Sequence, residues 1–130
     1  MTFWTFMLIM TMITPVIMIV IGLIFFVKPP KKINFIIGYR TKMSMKNEDT
    51  WFFAHKFSGK LILISGLVLL PITFLSSFFT IEQNENVVGA VSGVICFCQV
   101  AVILVVVAKT EIKLVKTFNR KGERINKNLE

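Results

Sequence analysis

Three stretches of the chain carry no charged side chain: Phe3–Val27, Leu61–Ile81 and Val87–Ala108. Each is long enough to cross a hydrocarbon core of about 30 Å as a helix. They predict an all-α membrane protein with three transmembrane helices, forming a single membrane domain over residues 1–130. Polar positions gather in a loop over 28–60, a short turn at Glu82–Asn86 and a tail over 109–130. The first apolar run follows no Lys or Arg, exceeds the core of a secretory signal and shows no A-x-A-like cleavage site, so it reads as a retained span.

Within the loop, Lys28-Pro29-Pro30-Lys31-Lys32 stops the first helix, because prolines disfavour its continuation and lysines anchor its end at the headgroups. The next nine residues, Ile33 to Thr41, are apolar enough to return to the membrane surface yet too short to span it, which predicts an interfacial or re-entrant segment. Ser44 or Asn47 can cap a helix whose first turn places Glu48 and Asp49 where the helix dipole favours acids, so a helix is expected to begin near 45–48. On this short amphipathic helix Trp51, Ala54, His55 and Ser58 share one face, and Phe53 and Phe57 form a second pair. It is expected to lie along the interface, with Trp51 and Phe52 as headgroup anchors, and to turn into the second span near Gly59.

Inside the spans, Pro15 and Pro71 each remove a backbone donor and tend to kink the helix unless a neighbour re-satisfies the freed carbonyl; they read as tolerated membrane prolines, with a functional hinge as the second reading. Gly89 and Gly93 form a G-x-x-x-G that allows close helix approach, either within the bundle or between copies in a homo-oligomer.

Charge then orients the elements. All fifteen Lys and Arg residues lie in the loop and the tail, and the net charge is +8. The positive-inside rule places both segments in the cytosol, an N-out/C-in topology in the cell membrane. A mean hydropathy of +0.73 and 55% hydrophobic residues exclude a soluble nucleic-acid binder, so anionic lipid headgroups are the expected counter-charge. The basic tail reads as a solvated helix drawn to such lipid, with docking of a cytosolic partner as the second reading.

Catalytic and metal chemistry find little footing. Cys96 and Cys98 would point about 200° apart on a helix, which suits neither a metal nor a disulfide. Met7, Met10 and Met18 share a face but have no cysteine or histidine beside them for copper, and no cofactor is expected. His55 is the only histidine, and no carboxylate pair or nucleophile with its base accompanies it, so the chain is not expected to be an enzyme. The spans hold no acid or base, which argues against ion-coupled transport. In contrast, Asn34, Arg40, Thr41, Ser44, Asn47 and Trp51 crowd into eighteen residues, and the planar fork of Arg40 suits a phosphate or carboxylate.

Pro30, Asn34, Gly38-Tyr39-Arg40-Thr41, Ser44, Asn47 and Trp51 followed by Ala54-His55, set between two spans, resemble the SdpI/YfhL immunity proteins of Gram-positive bacteria. The chain looks like a short, three-span form. The resemblance implies protection against a membrane-active antimicrobial peptide, with binding of that toxin and recruitment of a cytosolic repressor as the signalling step. It implies a ligand-binding role for Asn34, Gly38, Tyr39, Arg40, Thr41, Ser44, Asn47, Trp51 and His55. The alternative is a small transport or lipid-binding subunit of a larger export complex.

Overall fold

The computed structural model describes residues 2–125. Three helices account for most of it: α1 (Phe3–Val27), α2 (Glu48–Phe78) and α3 (Glu85–Thr117). All three are long and apolar enough to cross a membrane. Side-chain caps mark each start. Thr2 accepts the Thr5 N–H, Asn47 accepts the Thr50 N–H while Thr50 Oγ1 accepts the Asn47 N–H in return, and Asn84 accepts the Val87 N–H. The expected start near residue 48 is therefore found, with Asn47 rather than Ser44 as the cap.

The separate amphipathic helix is not found. Residues 48–78 form one unbroken helix of 31 residues, about 46 Å long at about 1.5 Å per residue. Gly59 does not turn the chain. It lies where α2 crosses α1, and a Cβ there would stand 2.6 Å from Phe25 Cβ and 2.8 Å from the Phe26 nitrogen. Gly22 meets the backbone of Leu63 in the same way, where a Cβ would come within 2.4 Å of its nitrogen. Close helix contact thus rests on glycines of α1 and α2. The Gly89/Gly93 pair makes none within the bundle: a Cβ at Gly93 would meet nothing within 4 Å, and one at Gly89 would reach only the Phe3 ring at 3.8 Å.

Two other boundaries also move. α2 ends at Phe78, so the connection to α3 runs over 79–84, where Thr80 Oγ1 donates to the Ser77 carbonyl at 2.7 Å. α3 continues nine residues past Ala108, and the chain then folds back so that Phe118 bridges Arg124. Residues 126–130 of the predicted tail lie outside the described residues. Both α1 and α2 run on through Pro15 and Pro71.

The bundle is polar inside and apolar outside. At its centre the Gln99 amide Nε2 donates to the Thr11 carbonyl at 3.0 Å and to Thr73 Oγ1 at 3.1 Å, joining α3 to α1 and α2. Such bonds between membrane helices contribute about 0.6 kcal/mol each on average. Ile, Leu, Val and Phe side chains cover the outer surface, where lipid provides their solvent. One end of the bundle carries the loop over 28–47, the first turns of α2 and residues 109–125, and is the basic pole. The other carries Trp4, whose Nε1 donates to the Ser77 carbonyl at 2.9 Å, together with Glu82 and Glu85.

Candidate functional site

At the basic pole the loop folds onto the projecting end of α2 and becomes a small head. Its first element is Asn34, whose Oδ1 accepts the backbone N–H groups of Ile36 (3.1 Å) and Ile37 (2.7 Å). This side chain bends the chain locally, as Asn commonly does in turns. Arg40 reaches back across the same bend and donates from Nη1 to the Phe35 carbonyl. The segment holds no helix, so it is not a helical re-entrant element.

Gly38 follows with φ +121°, a conformation that side chains disfavour. Space compels glycine as well, since a Cβ would stand 2.5 Å from His55 Nε2 and 3.2 Å from the Trp51 ring. The next N–H, that of Tyr39, donates to His55 Nε2 at 2.9 Å, while His55 Nδ1 faces the Trp51 carbonyl at 2.8 Å. Nε2 must therefore accept and Nδ1 must carry the proton, which defines a neutral imidazole in one tautomer. The ring lies 4.2 Å from the Trp51 ring and edge-on to Phe25 at 4.8 Å.

The side chain of Tyr39 points the other way. Its hydroxyl donates to Glu111 Oε1 at 2.8 Å and toward the Val107 carbonyl at 3.2 Å, tying the loop to α3. Burial and the Glu111 carboxylate both push the phenol pKa above its ordinary value.

Thr41 and Ser44 close a second turn by exchange. The Thr41 N–H donates to Ser44 Oγ at 2.8 Å, and the Ser44 N–H donates to Thr41 Oγ1 at 3.2 Å. The hydroxyl of buried Ser44 points at the Tyr39 carbonyl (3.0 Å), and the Ser44 carbonyl accepts from Thr50 Oγ1 (3.0 Å). Asn47 uses both ends of its amide: Oδ1 caps α2, and Nδ2 donates to the Gly122 carbonyl at 2.7 Å. Beside it Asp49 pairs with Arg124, whose Nε and Nη2 each lie 3.1 Å from a carboxylate oxygen. Beneath these contacts Ala54, Leu114 and Phe118 form an apolar core with Tyr39, Met43 and Phe53 packed on it.

All nine sequence-nominated residues thus lie in one head, where Tyr39, Thr41, Ser44, Trp51 and His55 bond one another, while the buried indole N–H of Trp51 has no partner among the described residues. Trp51, Ala54, His55 and Ser58 form the buried face that their spacing predicts, and Phe53 stacks on Phe57 with ring centroids 5.9 Å apart. Trp51 is not a headgroup anchor. It is 0% exposed because the loop covers it, although Phe52 does face outward. Asp49 pairs with Arg124 and not with Arg40.

Glu111, Gly122 and Gln99 were missed. Glu111 is the only acid between Lys109 and Gly122, and Gln99 the only carboxamide in the third span; those are the signals that could have marked two of them. Among the described residues no group of three His, Cys, Asp or Glu side chains could hold a metal ion.

Three membrane-length helices and a folded polar head at one pole define a multi-pass membrane protein of small size. The model of the SdpI/YfhL protein family matches residues 31–109, and the chain belongs to that family. A relative in Bacillus subtilis (strain 168), described as uncharacterized protein YfhL, is 42% identical over 52 residues, which cover 40% of this chain and 47% of that protein. The chain thus matches about half the length of this curated relative. No solved structure matches it.

Proposed function

We propose that this protein is an immunity protein of the cell membrane that protects its host against a membrane-active antimicrobial peptide. Membership of the SdpI/YfhL family, through a match that takes in the head loop, the whole of α2 and the apolar part of α3, carries this reading. The topology that fits it is N-out/C-in. Every Lys and Arg lies in the loop or the tail, and the Tyr39–Glu111 and Asn47–Gly122 bonds hold those two segments together at one pole. By the positive-inside rule that pole is cytosolic.

In this reading the apolar bundle meets the toxin within the bilayer, and the head transmits its presence to a cytosolic repressor. No enzymatic step is required. The test is a challenge of sensitive cells with membrane-active antimicrobial peptides, any encoded by neighbouring genes first, with wild-type protein, Tyr39→Phe and His55→Phe at matched membrane levels. Protection by wild type, reduced in both variants, supports the reading; survival equal to that of cells lacking the protein removes it. Reporters fused after Glu130 and before Met1 should read as cytosolic and external.

A further inference from the structure

Three consecutive large apolar residues, Phe35, Ile36 and Ile37, stand 80%, 83% and 69% exposed at the tip of the head loop. They are presented by a built turn, with Asn34 Oδ1 on two backbone N–H groups and Arg40 on the Phe35 carbonyl. Exposed Lys31, Lys32, Arg40 and Lys42 flank them.

The depth of this tip follows from its neighbours. Gly38 abuts His55, whose ring meets Phe25 in the last apolar turns of α1. The Tyr39 hydroxyl reaches the carbonyl of Val107, inside the charge-free run of α3. The tip is therefore tethered at the level where the apolar spans end, beside the bundle, and not out in water. At that level exposed apolar side chains meet acyl chains, and the cations around them meet phosphates.

We propose that residues 34–40 form a lipid-reading wedge: Phe35, Ile36 and Ile37 enter the leaflet bordering the basic pole, while Arg40 holds the phosphate of an anionic phospholipid. The guanidinium suits both tasks, because its planar fork can keep one N–H on the Phe35 carbonyl and turn the others to the phosphate. Lysine has the charge but not the fork. This inference stands apart from the toxin reading, since it needs only a bilayer.

The test uses the full chain in nanodiscs of phosphatidylglycerol or phosphatidylcholine. Cys96 and Cys98 are exposed on α3 and can be replaced by alanine; an environment-sensitive NBD label then goes on Ile36→Cys or, as an aqueous control, Lys121→Cys. The wedge predicts blue-shifted emission at position 36, strong quenching by lipids bearing a shallow doxyl group and weak quenching by iodide. Mass spectrometry of lipid retained after extraction from bilayers that mix the two lipids should find phosphatidylglycerol enriched over phosphatidylcholine, with the enrichment lost several-fold in Arg40→Lys and retained in Lys121→Gln. An iodide-accessible label matching the Lys121 control overturns the wedge and leaves the tip for a protein partner. An inserted label with no phosphatidylglycerol enrichment, or with enrichment unchanged in Arg40→Lys, overturns the assignment of the phosphate to Arg40.

Discussion

The backbone N–H of Tyr39 donates to Nε2 of His55 across 2.9 Å, so a loop residue is held by the face of a helix sixteen positions further along the chain. This bond needs an unprotonated nitrogen at the meeting point. Removing the acceptor by His55→Phe would leave the Tyr39 N–H half-buried and unpaired, which costs about 1–3 kcal/mol. We expect a lowered unfolding midpoint in detergent and faster hydrogen exchange at Tyr39. An unchanged midpoint would show that the ring only fills space.

Gly38→Ala should act on the same contact from the other side. The new methyl would strain the positive-φ backbone and press on His55 Nε2. A backbone residue forced to stay in such a region costs about 1–3 kcal/mol. In a double-mutant cycle with His55→Phe the double mutant should lose less than the sum of the two single losses, since both disrupt one contact. Strict additivity would place the strain elsewhere.

Tyr39 is the only tyrosine, so ultraviolet absorbance reports its ionisation alone. Burial and the Glu111 carboxylate raise its pKa in the folded state. Its contribution to stability is therefore fully present below the unfolded value of about 10 and lost as pH rises through the folded one. We expect no tyrosinate signal near pH 10 while the protein stays folded, and a fall of the folded pKa toward 10 in Glu111→Gln. A normal titration in the wild-type protein would contradict the hydrogen bond.

Replacing Gln99 by leucine removes the bonds to Thr11 and Thr73 and should destabilise the bundle by about 1.2 kcal/mol, roughly 0.6 for each bond. Unfolding in mixed micelles would measure it, with Thr73→Val to isolate one bond. A gain in stability would mean that desolvating the amide outweighs its partners.

Glycines in α1 and α3 should respond in opposite ways. Gly22→Leu has no room beside Leu63 and should block packing of α1 on α2, whereas Gly93→Leu enters open space and should leave the unfolding midpoint of a monomer unchanged. Loss of crosslinking between copies in Gly93→Leu would assign that glycine to association instead.

Much of this architecture is legible in the sequence, and the failures have a common cause. α1 is readable to the residue because the charge-free run and the Lys-Pro-Pro stop coincide. α2 is not, because charge marks where lipid ends and not where the helix does, so Lys60 and Gly59 suggested a break that the helix passes through. Asn47 could be recognised as a cap, and the shared face of Trp51 and His55 follows from spacing. The burial of Trp51 could not be read, since an aromatic near charges usually marks the headgroup region; the loop that covers it is placed by long-range contacts. Tyr39–Glu111 and Asn47–Gly122 join residues 72 and 75 positions apart, for which local pattern carries no information.

The two-ended use of Asn47 bears on the order of biosynthesis. Its cap on α2 can form as soon as Thr50 exists, but its clasp on Gly122 waits for 75 further residues to be translated. The ion pair of Asp49 with Arg124 waits equally long. By then the three apolar segments have already emerged for insertion. These two contacts are thus among the last of the head to become possible, since each needs the third apolar segment to have been made first.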